Sequence, residues 1–140
     1  MATDYDAQLK KYINVLVHEG ASDLHLSTGA HPTIRVSGNL TPMLREPVLT
    51  AEDTLGFVKS MLPKEKLERF LALLESDFAY ETPDGNRFRG NAYYQRGAIG
   101  VALRFIPKAI RSLKDLNLPD ILESFARKSQ GFFLVVGPVG

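Results

Sequence analysis

Apolar residues recur every three or four positions in several stretches of the chain, which is the spacing of one face of an α-helix. The first stretch predicts a helix over residues 4–18, and Gly20 follows it as a stop. Helical spacing returns after Thr50, an N-cap residue followed by acidic residues, and again after Pro63. The pattern therefore predicts three amphipathic helices in the first part of the chain.

Apolar and polar residues alternate between and after these helices, which is typical of half-buried strands. The alternation predicts a short strand around Leu24, a small hairpin that turns at residues 37–39, and a further strand over residues 77–82. Residues 83–86 are Pro-Asp-Gly-Asn, which predicts a tight turn because proline presets φ and glycine accepts a positive φ. Helices combined with antiparallel strands indicate an α+β fold.

A long hairpin is predicted next, with arms at residues 87–95 and 98–106 and a two-residue turn at Arg96 and Gly97. One face of this hairpin is expected to join the core and carries Phe88, Gly90, Ala92, Tyr94, Ile99, Val101, Leu103 and Phe105. The other face carries Arg87, Arg89, Asn91, Tyr93, Gln95, Gly100, Ala102 and Arg104. A slip of one residue would mix the two sets, so their separation supports the register.

The predicted register places Arg89 directly opposite Arg104. Like charges opposed across two strands destabilise a sheet, so we expect an anion or a carboxylate to bridge them. Arginine is suited to bidentate contact with phosphate, which makes the pair a candidate phosphate site. The alternative is a solvated polar face whose arginines pair with nearby aspartate or glutamate.

The last part of the chain differs from the rest. Residues 112–129 have helical spacing, with Pro119 beginning the second half, and residues 131–136 form a continuous apolar run that predicts a buried strand. That strand does not fit the antiparallel set, so we expect it to begin a new domain. The four residues that follow are Gly137, Pro138, Val139 and Gly140. They have the form of the start of a phosphate-binding loop, although a motif this short also occurs in ordinary loops.

Composition limits the possible functions. The chain of 140 residues is long enough for one ordinary domain, and no apolar run approaches the roughly 18 residues of a membrane span. It has no cysteine, which excludes disulfides, thiol catalysis and cysteine-ligated metal. Its acidic, polar start does not resemble a signal peptide, so we expect a cytoplasmic protein.

Charge is unevenly distributed along the chain. The net charge is +1, but acidic residues concentrate before residue 86 and basic residues after it. The basic part is expected to meet an anion or an acidic partner surface, unless the charges are simply placed unevenly. Tyr93 and Tyr94 lie near arginines, yet Tyr94 falls on the core face and so small a net charge is not typical of a nucleic-acid binder. No nucleic-acid partner is expected.

Asp23 and His25 share one face of the first predicted strand. They could form part of a catalytic or metal site. However, no second histidine or carboxylate stands at ligand spacing, and no nucleophile is evident. A structural hydrogen-bonding role is therefore favoured.

Seven short segments of the chain form a recognisable series, and they are residues 20–26 (Gly-Ala-Ser-Asp-Leu-His-Leu), 32–35, 38–40, 88–92, 104–107, 113–118 and 131–140. Taken in order, these segments resemble PilT-type retraction ATPases of the type II/IV secretion ATPase superfamily. The Ala-Ser-Asp-Leu-His box is fairly specific to the wider superfamily. The Arg-Phe-Ile-Pro segment and the short N-terminal region favour the retraction branch, because extension and type II secretion motors usually carry a further N-terminal domain.

The resemblance implies a PAS-like N-terminal domain over residues 1–107, with an antiparallel sheet flanked by helices. Residues 108–130 would be an interdomain linker, and residues 131–140 would be the first strand and partial Walker A loop of a truncated RecA-like ATPase domain. It also implies that Arg89 and Arg104 reach the nucleotide phosphates. Val139 stands where the family usually has threonine in the loop.

The same resemblance implies that the complete protein is a hexameric, ATP-driven motor that retracts type IV pili for twitching motility, with ATP and Mg²⁺ as cofactors. Its partners would be copies of itself and the inner-membrane pilus platform protein. It would be cytoplasmic and peripheral to the inner membrane at the pilus base.

The Walker A lysine and the catalytic glutamate of the family lie beyond this chain, so the chain alone is expected to be inactive. The alternatives are a pilus extension or type II secretion ATPase, and a PAS-like ligand-binding or interaction module.

Overall fold

The computed structural model describes residues 4–137, and the chain divides into two compact units between Lys108 and Ala109. The first unit has the predicted α+β fold. Its elements are α1 (Tyr5–His18), β1 (Asp23–Ser27), β2 (Thr33–Val36), β3 (Asn39–Pro42), α2 (Ala51–Met61), α3 (Lys64–Leu73), β4 (Glu75–Glu81), β5 (Arg87–Gln95) and β6 (Ala98–Ile106). The strands form an antiparallel sheet in the order β3-β2-β1-β6-β5-β4. Across residues 4–137, no helix combines the length and apolar character that crossing a membrane would need.

The three helices of the first unit pack against one face of the sheet. Apolar side chains at helical spacing on the helices meet apolar side chains at alternate positions on the strands, and their removal from water stabilises the fold. The largest of these buried residues are Leu9, Tyr12, Ile13, Leu16, Leu24, Leu26, Phe57, Phe70, Phe88 and Leu103. Because this face is covered by helices, the intervening polar side chains lie on the opposite face of the sheet.

Side-chain caps begin the first two helices, and the cap at Thr50 is the one that the sequence predicts. At α1, Oδ1 of Asp4 accepts a hydrogen bond from the backbone N–H of Ala7 at 3.0 Å. At α2, Oγ1 of Thr50 accepts from the N–H of Asp53 at 3.2 Å, and the Asp53 carboxylate accepts from the N–H of Thr50 at 2.8 Å. This reciprocal capping box satisfies backbone donors that have no partner inside the helix.

The long hairpin has the predicted arms and the predicted register. Arg96 and Gly97 form its turn with φ angles of 53° and 78°, the two positive values that a type I′ turn requires. The predicted apolar face joins the core, and Arg89 and Arg104 are exposed on the other face. The alternation of apolar and polar residues therefore predicted this hairpin correctly.

The second unit contains less helix than the sequence predicts over residues 112–129. Its helix α4 spans only Ile121–Ala126. A separate turn precedes it, in which the N–H of Leu116 donates to the carbonyl of Ser112 at 3.2 Å, and that turn ends at Asn117 with a φ of 52°. The positive φ, followed by a proline that has no N–H to donate, prevents the two segments from joining into one helix.

Residues 131–136 do not form the buried strand that their apolar character predicts. Their large side chains are exposed, with Phe132 at 89% and Val135 at 84% of full exposure. A strand needs a neighbouring strand to pair with, and the described residues of the second unit contain none. Phe133 instead stacks on Phe125 of α4, with ring centroids 5.0 Å apart.

Candidate anion site on the polar face of the sheet

Four charged residues lie side by side on the face of the sheet that the helices leave uncovered. In order across β2, β1, β6 and β5 they are Arg35, Asp23, Arg104 and Arg89, and each is directly opposite the next. On each strand, a residue next to the charged one in the sequence is buried in the core. Because successive side chains on a strand alternate, the four charged side chains point to the opposite face. We call this set the charged row.

Asp23 is the centre of the charged row, and it is only 6% exposed. Its Oδ1 accepts a hydrogen bond from Nε of Arg104 at 3.0 Å. Its Oδ2 accepts from the hydroxyl of Ser22 at 2.7 Å and lies 3.4 Å from Nε of Arg35. Both carboxylate oxygens are therefore engaged, in the structural hydrogen-bonding role favoured from the sequence.

The environment of Asp23 keeps its carboxyl ionised. Burial acts to raise the pKa of this group, but the hydrogen bonds from Ser22 and Arg104 and the charge of Arg104 outweigh burial. The pKa of Asp23 therefore lies below its ordinary value of 3.8. Asp23 supplies the carboxylate that one of the two opposed arginines requires.

Arg89 is the member of the charged row without a partner. It is exposed and makes no ion pair or side-chain hydrogen bond with any residue in the described part of the chain. Arg104, directly opposite, is paired with Asp23 through Nε while its side chain stays 72% exposed. Of the two possibilities weighed from the sequence, a carboxylate is present at Arg104, whereas Arg89 is free to bind an added anion.

A second row of residues lies beside the charged row. It runs through His25, Ala102, Asn91 and Asp77 on β1, β6, β5 and β4. Nδ2 of Asn91 donates to Oδ1 of Asp77 at 3.1 Å. The two rows line an open groove of about 240 Å³ that contains three arginines against two aspartates. Its net positive charge favours an anionic ligand.

His25 is neutral in this groove near pH 7. Burial lowers its pKa below the ordinary value of 6.5, and the charges of Arg35 and Arg104 lower it further, whereas Asp23 opposes them. Its Nε2 is buried and has no hydrogen-bond partner among the described residues. Residues 4–137 contain no group of three or more histidine, cysteine, aspartate or glutamate side chains that could hold a metal ion.

The chain is similar to motor ATPases of type IV pili over most of its length. It is 32% identical to the type IV pilus ATPase PilU of Pseudomonas aeruginosa over 133 residues, 95% of the chain. It is 33% identical to the retraction ATPase PilT of the same organism over 122 residues, 87% of the chain. The crystal structure of the pilus retraction motor PilT with bound ADP matches 91% of the chain at 30% identity, with a TM-score of 0.70. The chain belongs to the type II/IV secretion ATPase family.

The similarity to secretion ATPases covers only part of those proteins. The chain spans about a third of its relatives, 35% of both PilU and PilT and 36% of the ADP-bound PilT chain. No protein-family model matches it. The α+β unit up to Lys108 has the fold of the N-terminal domain of PilT.

The residues that the secretion ATPase resemblance assigns to phosphate binding lie in both units. Arg89 and Arg104 are neighbours in the charged row. Gly137 is exposed in the second unit. The other three loop residues lie outside the described residues, and they are Pro138, Val139 and Gly140.

The charged row does not include Arg87, Arg96 or Arg111. Arg87 is on the same face but opposite Ile106, so no second arginine faces it. Arg96 is in the hairpin turn, and Arg111 is exposed in the second unit.

Arg35 is the residue of the charged row that the sequence prediction missed. The apolar neighbours Ile34 and Val36 do indicate that Arg35 points to the polar face. Its place beside Asp23 depends on the strand order, in which β1 lies between β2 and β6. The contact between Asp23 and Arg104 joins residues 81 positions apart in the sequence. Alternation of residues along one strand cannot predict a contact between residues so far apart in the chain.

Proposed function

We propose that this chain is the PAS-like N-terminal domain of a hexameric, ATP-driven motor that retracts type IV pili, and that Arg89 and Arg104 bind nucleotide phosphates. The observation that carries the arginine assignment is the exposed, unpaired Arg89 directly opposite Arg104. An anion between them would offset the repulsion of two like charges. The planar guanidinium matches the geometry of phosphate oxygens. Similarity to PilT, whose crystal structure holds ADP, supports a nucleotide as that anion.

The charged row would act as one wall of a nucleotide site between this domain and an ATPase domain. Hydrogen bonds from guanidinium groups to phosphate oxygens are charge-assisted, so they depend on how many phosphates the nucleotide carries. The domain would close on ATP and move away after hydrolysis and product release. Successive closures around the ring would return pilin subunits to the inner membrane.

We assign residues 108–130 to an interdomain linker and residues 131–140 to the start of a RecA-like ATPase domain. In a complete Walker A loop, backbone N–H groups cradle the phosphates and a lysine neutralises them. The exposed apolar side chains of residues 132–136 support this assignment, because further strands of such a domain would cover them. Mg²⁺ would help to neutralise the phosphates of ATP, held by residues other than those described here.

The proposed partners are copies of the same protein in the ring and the platform protein of the pilus in the inner membrane. The motor would lie at the cytoplasmic side of that membrane, at the pilus base. The relatives PilU and PilT, both named as type IV pilus ATPases, support this location.

ATP hydrolysis by the complete gene product tests the arginine assignment. Arg89→Ala and Arg104→Ala each remove charge-assisted hydrogen bonds worth about 1.5–3 kcal/mol, so we expect kcat/KM for ATP to fall roughly ten- to a hundred-fold. Arg45→Ala removes an exposed arginine in the loop before α2 and serves as the matched control. Values of kcat/KM within about two-fold of wild type for both charged-row variants would contradict the assignment.

Pilus counts distinguish retraction from extension. A cell that cannot retract its pili keeps them on its surface but does not twitch, whereas a cell that cannot extend them has none. We expect deletion of the gene to leave piliated, non-twitching cells by electron microscopy and surface motility assay. Bare cells would identify an extension motor instead.

A further inference from the structure

Asp23 holds Arg104 in a way that leaves the phosphate-binding atoms of the guanidinium free. Its carboxylate accepts from Nε of Arg104, and no hydrogen bond of the two terminal nitrogens occurs among the described residues. Those terminal nitrogens carry four of the five N–H donors of an arginine. We infer that Asp23 is a positioning residue for nucleotide binding by Arg104, an inference that rests on the proposed function.

The carboxylate of Asp23, which anchors Arg104, is held more firmly than a carboxylate on the protein surface. Asp23 lies on β1, which pairs with β2 on one side and β6 on the other. Its side chain is 9% exposed, and the hydroxyl of Ser22 donates to Oδ2 at 2.7 Å. A carboxylate held from both sides orients the arginine that it binds, so Arg104 loses less conformational freedom when phosphate arrives. Arg89 has no such anchor among residues 4–137.

The negative charge of Asp23 and its contact with Arg104 are expected to change the affinity for nucleotide in opposite directions. Asp23 is negative and lies in the groove, so removing its charge would strengthen phosphate binding if Coulomb repulsion dominated. Removing it also frees Arg104 from its orientation, which weakens phosphate binding. The direction of the change in nucleotide affinity therefore separates a positioning residue from a repelling one.

Asp77 provides a matched comparison on the same face of the sheet. It lines the same groove, but its hydrogen bond comes from Asn91, and it forms no ion pair with an arginine among the described residues. Asp77→Ala removes one negative charge from the groove and leaves the anchor of Arg104 intact. We expect it to leave the affinity for nucleotide unchanged or tighter, opposite to Asp23→Ala.

A double-mutant cycle in the complete gene product tests the inference. The equilibrium Kd of a fluorescent ATP analogue is measured for wild type, Asp23→Ala, Arg104→Ala and the double variant, with circular dichroism to check folding. We expect Asp23→Ala to raise Kd about five-fold in the wild-type background and to have no further effect when Arg104 is already alanine. Ser22→Ala removes the 2.7 Å hydrogen bond to Asp23 and a longer one of 3.5 Å to the carbonyl of Arg35, and it should raise Kd less and in the same Arg104-dependent way. Ser22→Ala still tests the inference if Asp23→Ala does not fold.

The outcomes separate this inference from the proposed function. If Asp23→Ala weakens binding equally with and without Arg104, Asp23 is merely structural and the inference is overturned. If both Asp23→Ala and Asp77→Ala tighten binding, charge repulsion dominates and the inference is also overturned. If Arg104→Ala and Arg89→Ala leave Kd unchanged, the nucleotide role of the charged row itself is wrong.

Discussion

His25 and Asp23 lie on the same face of β1, two residues apart, and the fold keeps Asp23 charged and His25 neutral. The carboxyl of Asp23 is kept ionised by Ser22 and Arg104, whereas the imidazole of His25 is kept neutral by burial and by Arg35 and Arg104. A proton on His25 would add a third positive charge next to two arginines. Burial and the two arginines thus keep His25 uncharged, and hydrogen bonds from Ser22 and Arg104 keep Asp23 charged.

The pH dependence of stability tests the neutral state of His25. Its pKa in the folded protein is below the ordinary value of 6.5, so as pH falls below about 6.5 the unfolded chain binds a proton that the folded chain does not. Stability should therefore decrease from pH 7 to pH 5, and His25→Gln should reduce this decrease. The measurement is the free energy of unfolding by urea at each pH. An equally steep decrease in His25→Gln would contradict the prediction.

The hairpin of β5 and β6 is the element that presents Arg89 and Arg104. Its alternation of apolar and polar residues was enough to predict both arms, the turn and the register, because a one-residue slip would bury the arginines. Gly90 of this hairpin leaves room for a side chain of the neighbouring strand. The ring of Phe78 on β4 occupies the space where a Cβ of Gly90 would lie, with its nearest atom 2.4 Å from that position.

Gly90→Ala should destabilise the first unit. The added methyl group cannot be accommodated unless the buried ring of Phe78 moves, and overpacking of this kind costs about 1–3 kcal/mol. The measurement is the free energy of unfolding by urea, followed by circular dichroism. Phe78→Leu in the Gly90→Ala background is expected to recover part of the loss, because it removes the ring. A Gly90→Ala protein as stable as wild type would contradict the close packing.

The elements after Pro107 were predicted less well, for physical reasons. Helical spacing over residues 112–129, with a second half beginning at Pro119, does not account for the left-handed conformation of Asn117, and the first half is a turn and the second a short helix. The apolar run at 131–136 has the composition of a strand, but composition cannot supply the neighbouring strand that it needs. The same limit applies to Arg35 in the charged row, whose place depends on strand order.

The chain spans about a third of the length of its relatives. Its two units contribute different residues to the proposed nucleotide site. The first unit contains a complete core and the charged row, whereas the second contains exposed apolar residues and Gly137. No lysine follows Gly137 in the chain, although a phosphate-binding loop requires one.

The chain of 140 residues should therefore show no ATP hydrolysis by itself. The chain has no lysine after Gly137, whereas a Walker A loop places a lysine on the phosphates, and we do not expect the arginines of the charged row to promote hydrolysis by themselves. The measurement is phosphate release from ATP by the purified chain, next to the complete gene product as the positive control. Turnover by the pure chain that disappears in Arg89→Ala would overturn this prediction, because it would place the catalytic groups within these residues.

A crystal structure of the complete gene product with a non-hydrolysable ATP analogue tests most directly whether the charged row binds nucleotide. We expect terminal nitrogens of Arg89 and Arg104 within about 3.2 Å of phosphate oxygens, with Asp23 still bound to Nε of Arg104. A bound nucleotide whose phosphates contact neither arginine, with both guanidinium groups in solvent or paired with carboxylates, would contradict the account.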